Sequence, residues 1–323
     1  MSLRFRPFLR RLSLACLSSL VLTATAQDAW PTKPLQMIVP FPPGGGADMS
    51  ARMVADRLSD ELGVRVVVDN RPGAEGNIGM RAASQARADG HTIVFVVPSV
   101  IQNPLLQTLD YDPASSLQPL AKLTETSLVL LVRPSLKLRT WEDFMKWGRS
   151  ASTPVNCAAS GANPLVACEL LKRQGQVALN VIPYKGNNPA MNDLLGGHVD
   201  VLFDLPSSAK THTESHGVWA LATTGRSKAQ APFQDLPLTK DLVPGFIINT
   251  WQGLMTPTGL PDHIRQKLES ALAVVMSDPQ IVARVKSNGL RPAYENASQF
   301  GKTLSADGRH YKRLFQETGM MAR

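Results

Sequence analysis

Pro40-Phe41-Pro42-Pro43-Gly44-Gly45-Gly46-Ala47-Asp48 separates two segments of different hydrophobic period. Before it, Leu35-Gln36-Met37-Ile38-Val39 is a short, mostly apolar run ending at Pro40, the pattern of a buried strand. After it, Ala51, Val54, Ala55, Leu58 and Leu62 recur at helical spacing until Gly63, which stops the helix. A strand, a glycine-rich turn and an amphipathic helix are the first parts of a βαβ unit. The pattern continues outward with a strand over 64–68, a helix over 79–88 closing at Asp89-Gly90, and a strand over 93–97. This βαβαβ opening predicts an α/β protein with parallel sheets and right-handed crossovers.

The middle of the chain repeats the alternation. Strands are expected over 128–132, 155–158, 177–182, 199–203 and 218–222, and helices over 141–150, 164–174 and 189–195. The C-terminal part carries a strand over 251–255, a helix with Ile264, Leu268, Leu272, Val275 and Met276 on one face, and further helices over 278–287 and 300–318. The 323 residues exceed what one core usually serves, so two lobes are expected. No polar linker separates them, which suits strands that cross from lobe to lobe near 126–130 and 246–252. The lobes are then residues 27–127 with 250–323, and 128–249.

Residues 1–26 read as a secretory signal: Arg4, Arg6, Arg10 and Arg11 with no acid, an apolar stretch over 12–22, then Ala24-Thr25-Ala26. Cleavage is expected after Ala26, with export to the periplasm. The apolar stretch is short for a hydrocarbon layer of about 30 Å. Cys16 raises lipidation as an alternative, but Ser13-Leu14-Ala15 fits a lipobox poorly. Removing the four arginines leaves +4 of the formal charge of +8, without Lys/Arg runs, which speaks against a nucleic-acid footprint and allows anionic ligands. Cys157 and Cys168 can bridge in an oxidising compartment or remain as two buried thiols.

Three loops follow strands and precede helices. In 40–48, glycines let a ligand approach the main chain, and Asp48 or Ser50 is the expected helix cap. In Ala159-Ser160-Gly161-Ala162-Asn163-Pro164, Asn163 is the expected cap and Ser160 offers a hydroxyl. In Pro183-Tyr184-Lys185-Gly186-Asn187-Asn188-Pro189, Asn188-Pro189 reads as cap and first turn, Tyr184 as an aromatic wall and Lys185 as a charge. Free N–H groups and the dipole at a helix N-terminus attract anions, and α/β ligands bind beyond the carboxyl ends of strands. The candidate binding set is Phe41, Pro43, Gly44, Gly45, Ala47, Asp48, Ser99, Ser160, Gly161, Asn163, Tyr184, Lys185, Gly186 and Asp204. Asn70-Arg71-Pro72-Gly73-Ala74-Glu75-Gly76-Asn77-Ile78-Gly79 reads equally as a structural link or as cleft lining.

Enzyme signatures are missing. There is no Gly-x-Ser-x-Gly elbow, no His-Glu-x-x-His, and no Gly-Lys-Ser/Thr after the glycines. His212 and His216 fall in a polar stretch, 211–217, read as a solvated turn and not as a metal pair. No catalytic residue, cofactor or metal is expected.

Several segments together resemble the Bug-type (TctC-like) receptors, the extracytoplasmic solute-binding proteins of tripartite tricarboxylate transporters. They are Pro-Phe-x-x-Gly-Gly-x-x-Asp at 40–48, Asn70-Arg71-Pro72-Gly73-Ala74 with Gly76-Asn77-Ile78-Gly79, Asp89-Gly90-His91-Thr92 and Tyr111-Asp112-Pro113. Pro183-Tyr184-Lys185-Gly186, Asp193-Leu194-Leu195-Gly196-Gly197, Phe203-Asp204 and Trp251-x-Gly253 continue the series, so the resemblance spans 30–323. It implies a two-lobe Venus-flytrap fold, each lobe a mostly parallel sheet flanked by helices. It also implies that the 40–48 and 183–189 loops act as pincers on a ligand carboxylate, that Asp48 orients its loop, and that Asp204 lies near the cleft. The chain departs from the family before Ala167-Cys168-Glu169, where Leu165-Val166 replaces a common His-Leu and only Gly161 remains of a glycine-rich approach. The implied function is capture of a small carboxylate by lobe closure, in a monomer, for membrane permease subunits of a tripartite transporter. A sensor that presents ligand to a signalling receptor is the alternative, and a secreted hydrolase is the more remote one.

Overall fold

In the computed structural model, the described residues are 30–184 and 186–322. The signal sequence with its cleavage after Ala26, Cys16 and the pincer residue Lys185 lie outside them. Residues 33–323 form one compact unit.

The chain opens with β1 (Leu35–Val39), α1 (Gly46–Leu62), β2 (Val66–Asn70), α2 (Asn77–Ser84), β3 (Thr92–Val96) and α3 (Ser99–Leu106). A short α4 (Pro113–Ser116) leads to the long β4 (Leu117–Ser127) and then to β5 (Val129–Val132). Next come α5 (Trp141–Ser150), β6 (Val155–Ala159), α6 (Ala162–Arg173), β7 (Leu179–Pro183), α7 (Asn187–Gly196), β8 (Val201–Asp204), α8 (Pro206–Glu214) and β9 (Trp219–Thr223). After α9 (Thr239–Leu242), the chain ends with β10 (Asn249–Pro257), α10 (Asp262–Ser277), α11 (Pro279–Ser287), β11 (Arg291–Asn296) and α12 (Ala297–Thr318).

Two sheets result, ordered β11-β4-β10-β3-β1-β2 and β7-β6-β8-β5-β9. The expectation of mostly parallel sheets holds only for their βαβ parts. β1 pairs in parallel with β2 and β3, and β6 with β7 and β8. The strands at the passage between sheets, β4, β5 and β10, pair antiparallel. The reason is connectivity: β4 runs into β5 through Leu128 alone, so the passing strands run opposite to the strands fed by crossover helices.

Burial follows the pleat. In and beside β5, Leu128, Leu130 and Val132 enter one cluster with Phe144, Val166 and Leu171. Val129 and Leu131 enter the opposite one with Ala190, Met191 and Ala209. The second sheet is therefore covered on both faces, which an uninterrupted apolar strand requires. On the first sheet, Trp251 stacks edge-on against Phe300 at 5.0 Å, and a Cβ on Gly253 would lie 2.7 Å from that ring. Gly253 is thus a packing glycine. α12 starts against the first sheet at Phe300 and ends with Tyr311, Leu314 and Phe315 in the cluster of the second.

The crossing is tied by Thr224, which is fully buried. Its hydroxyl donates to Ile248 C=O (2.7 Å) and accepts from Leu128 N–H (3.0 Å). Its backbone N–H donates to Leu128 C=O and its C=O accepts from Ile248 N–H. Cys157 on β6 and Cys168 on α6 are joined in a buried disulfide, which closes the choice between bridge and free thiols.

Candidate functional site

α1 begins without a side-chain cap. Its N-cap is Gly45, not Asp48 or Ser50 as expected. Met49 N–H is the first to bond back, to Gly45 C=O, so the N–H groups of Gly45, Gly46, Ala47 and Asp48 have no acceptor among the described residues. Asp48 sits one turn inside and reaches backward. Its buried carboxylate accepts from Gly44 N–H (2.9 Å), Arg52 Nε (3.0 Å) and Asn70 Nδ2 (2.9 Å), and Asn70 also donates to Phe41 C=O (3.1 Å). Burial opposes its charge, but those hydrogen bonds and the Arg52 guanidinium outweigh burial and hold its pKa below the usual range. The carboxylate thus fastens both ends of the loop.

Of the three glycines, only Gly44 has a positive φ (+81°). Gly45 has an ordinary φ of −77°, and a Cβ on Gly46 would meet nothing within 4 Å. The fold does not demand glycine at 45 or 46; what glycine does there is leave the helix N-terminus uncovered. The 70–79 segment supports the loop from behind. A Cβ on Gly79 would lie 2.7 Å from Pro40, and four consecutive residues, Gly73, Ala74, Glu75 and Gly76, have positive φ. Asn103 of α3 clamps the strained turn by donating to Glu75 C=O (3.1 Å) and Asn77 Oδ1 (3.0 Å), and Tyr111 OH also donates to Asn77 (3.2 Å).

The second-lobe loops repeat the uncapped arrangement. α6 is capped by Gly161 (φ 98°, ψ 178°) and α7 by Gly186 (φ 115°, ψ 170°), neither with a side-chain hydrogen bond. The expected caps Asn163 and Asn188 lie two residues inside. Pro164 and Pro189 follow them, where a proline gives up an N–H that had no partner within the helix. The N–H groups of Gly161, Ala162 and Asn163, and of Gly186, Asn187 and Asn188, have no acceptor among the described residues. A Cβ on Gly161 or Gly186 would meet nothing within 4 Å, so open space lies before both helices. Ser160 Oγ donates to Asn187 Oδ1 (3.2 Å), which draws the two N-termini together.

Other candidates have different surroundings. Asn163 turns its Oδ1 to Gln102 Nε2 of α3 (2.6 Å) and to Tyr311 OH of α12 (3.2 Å), and so joins elements of the two sheets. Tyr184 donates from its hydroxyl to Asp193 Oδ2 (2.5 Å) and packs partly buried beside α7; burial and that acid raise its pKa to about 12. Ser99 opens α3, half-buried. Pro43 is exposed and Phe41 and Ala47 half-exposed on the first loop. Asp204 ends β8, buried, with Oδ1 accepting from Leu205 N–H (2.6 Å). The 211–217 stretch is not simply a turn: α8 runs through His212 to Glu214, and His216 lies beyond it at φ 58°. No hydrogen bond or ion pair joins the 40–48 loop directly to the second-lobe loops among the described residues.

Sequence reasoning missed Gln102, Asn103, Asn187, Tyr311 and Ser208, whose Oγ accepts from Asn187 Nδ2 (3.0 Å). Gln102 and Asn103 carried a signal, two adjacent amides in the otherwise apolar Val100-Ile101 and Pro104-Leu105-Leu106 surroundings, and both are buried.

No helix of the described residues is long and apolar enough to cross a membrane. The profile of the tripartite tricarboxylate transporter family receptor, TctC, matches residues 50–320. Protein BugT of Bordetella pertussis is 31% identical over 298 residues, covering 90% of this chain and 91% of BugT. Among solved structures, the R. palustris protein Rpa4515 with adipate superposes with a TM-score of 0.80 at 28% identity, over 90% of this chain and 98% of that one. The periplasmic binding protein BugD gives 0.77 at 27% identity, over 91% and 100%. The chain belongs to the TctC family of tripartite tricarboxylate transporter receptors.

Proposed function

We propose that this receptor captures a small carboxylate between the 40–48 loop and the paired loops at 159–164 and 183–189. One observation carries the reading: three helices start at glycine caps with their first N–H groups unspent and no side chain making a cap hydrogen bond to them. Three positive helix ends facing open space favour an anion, and backbone donors suit a carboxylate. Rpa4515, a structural relative, was solved with adipate, which agrees with this chemistry.

The lobes are residues 27–127 with 250–323 and residues 128–249, closing about the segments that Thr224 ties. The ligand bridges the loops and stabilises the closed state. The protein is exported to the periplasm after cleavage at Ala26, acts as a monomer, binds without catalysis, and offers its closed form to the membrane subunits of a tripartite transporter. A thermal-shift screen against a carboxylate library tests the reading. A true ligand at a hundredfold excess over Kd adds about 2.7 kcal/mol of stability. Stabilisation by neutral or cationic compounds and by no carboxylate would sink it.

A further inference from the structure

Asn163 stands where helices of the two sheets meet. Gln102 lies on α3, which follows β3 of the first sheet, and Asn163 lies on α6, which follows β6 of the second. Gln102 Nε2 donates to Asn163 Oδ1 at 2.6 Å. Tyr311 OH on α12 donates to the same oxygen at 3.2 Å. Gln102 and Tyr311 are each 2% exposed, in the region where α12 packs against both α3 and α6. An amide oxygen only accepts and an amide NH2 only donates, so two buried donors on Oδ1 fix which way the Asn163 amide turns. Nδ2 is held on the opposite side. No hydrogen bond among the described residues uses Nδ2, and it is not one of the buried atoms left without a partner, so it reaches open space.

That amide belongs to the first turn of α6. The N–H groups of Gly161, Ala162 and Asn163 are unspent, and a Cβ on Gly161 would meet nothing within 4 Å. Asn163 Nδ2 is thus a further donor on the same turn, aimed by residues that reach it from α3 and α12. The amide has this orientation only while α3 and α6 are together. An Asn163 released from Gln102 keeps the longer bond from Tyr311 alone and can turn its oxygen outward as readily as its nitrogen. We propose that Gln102 is a positioning residue of the binding site. From the first lobe it turns the Asn163 amide so that Nδ2 donates to the bound carboxylate, and lobe closure thereby completes the donor set. The inference rests on the carboxylate reading above. Asn163 touches the ligand; Gln102 and Tyr311 act through it.

The test is calorimetric titration of the purified protein and its variants with succinate, malate, citrate and adipate. Loss of one hydrogen bond predicts that Gln102→Met weakens the acid that wild type binds best on the order of tenfold. Tyr311→Phe, which removes the longer bond, should weaken it on the order of threefold. Asn163→Ala should cost at least as much as Gln102→Met. In the Asn163→Ala background, Gln102→Met should change Kd by less than about twofold, because the residue it acts through is gone. Asn163→Asp separates the donor from the bridge. Its carboxylate still accepts from Gln102 and Tyr311, but an oxygen replaces Nδ2, so binding should fall by more than about tenfold. Tyr311→Phe, alone and with Asn163→Ala, carries the test if Gln102→Met does not fold. An unchanged Kd in folded Gln102→Met overturns the inference. So does an equal loss with and without Asn163→Ala, or an Asn163→Asp variant that binds as tightly as wild type; each marks a bridge that is only structural and leaves the carboxylate reading standing. Folded wild-type protein that binds none of the four acids overturns both.

Discussion

Asp48→Asn tests whether one buried carboxylate holds the first-lobe loop. The substitution keeps the shape and one acceptor oxygen, and replaces the other oxygen with a donor. Oδ2 receives both Gly44 N–H and Arg52 Nε, and Oδ1 receives Asn70, so one orientation of the amide sets donor against donor toward Gly44 and Arg52 and the other does so toward Asn70. The Arg52 side chain is 49% exposed, so the ion pair itself contributes little. The larger loss is a charged acceptor for two neutral donors, at about 1.5–3 kcal/mol per charge-assisted bond before compensation. A net cost of about 2–4 kcal/mol lowers Tm by roughly 4–8 °C in a chain of this size. The pH dependence follows in sign. The folded pKa of Asp48 is depressed, so its contribution is complete above the unfolded value of about 3.9 and is lost as pH falls through the folded value. Differential scanning fluorimetry at pH 7 and pH 3 should show a wide gap between wild type and variant that narrows in acid. A variant within 1 °C of wild type at pH 7, or a gap that widens at pH 3, refutes the argument.

Gly45→Ala should leave Tm within about 1 °C, since its φ of −77° and nearest contact at 3.6 Å tolerate a methyl, yet weaken carboxylate binding measurably in titration calorimetry. Gly186→Ala should instead cost about 1–3 kcal/mol of stability by thermal unfolding, because its φ of 115° with ψ of 170° suits glycine alone. Thr224→Val removes a donor and an acceptor from two buried backbone groups, Ile248 C=O and Leu128 N–H, and should cost about 2–4 kcal/mol by denaturant titration. Replacing Cys157 and Cys168 together by Ala opens a loop with a sequence separation of 11 and should cost about 3 kcal/mol on the chain-entropy scale, read as a fall in Tm.

The parts of this structure that periodicity controls were legible. The run at 35–39 and the helical spacing from Ala51 to Gly63 placed β1 and α1, because a buried strand and a half-buried helix impose different repeats. Caps were misread for a physical reason. Asn163 and Asn188 have the right chemistry for N-caps, but each helix begins two residues earlier at a glycine, and a glycine cap leaves no side-chain signal. The antiparallel pairing of β4, β5 and β10 was hidden because register depends on partners far along the chain. The polar composition of 211–217 masked α8, which buries only Pro206 and Ala209 and so shows almost no apolar stripe. The residues that join the loops, Gln102, Asn103, Asn187, Ser208 and Tyr311, meet only in three dimensions.

The central claim is that uncapped helix ends bind the ligand through their backbone. The direct measurement is a nitrogen–proton correlation spectrum of labelled protein, titrated with the carboxylate that stabilises it most. Asp48→Asn and Gly186→Ala would assist assignment of the glycine amides. The account predicts that the amides of Gly45, Gly46 and Ala47 and those of Gly161, Gly186 and Asn187 shift together and saturate at one Kd. Saturable binding that leaves these amides in place contradicts it.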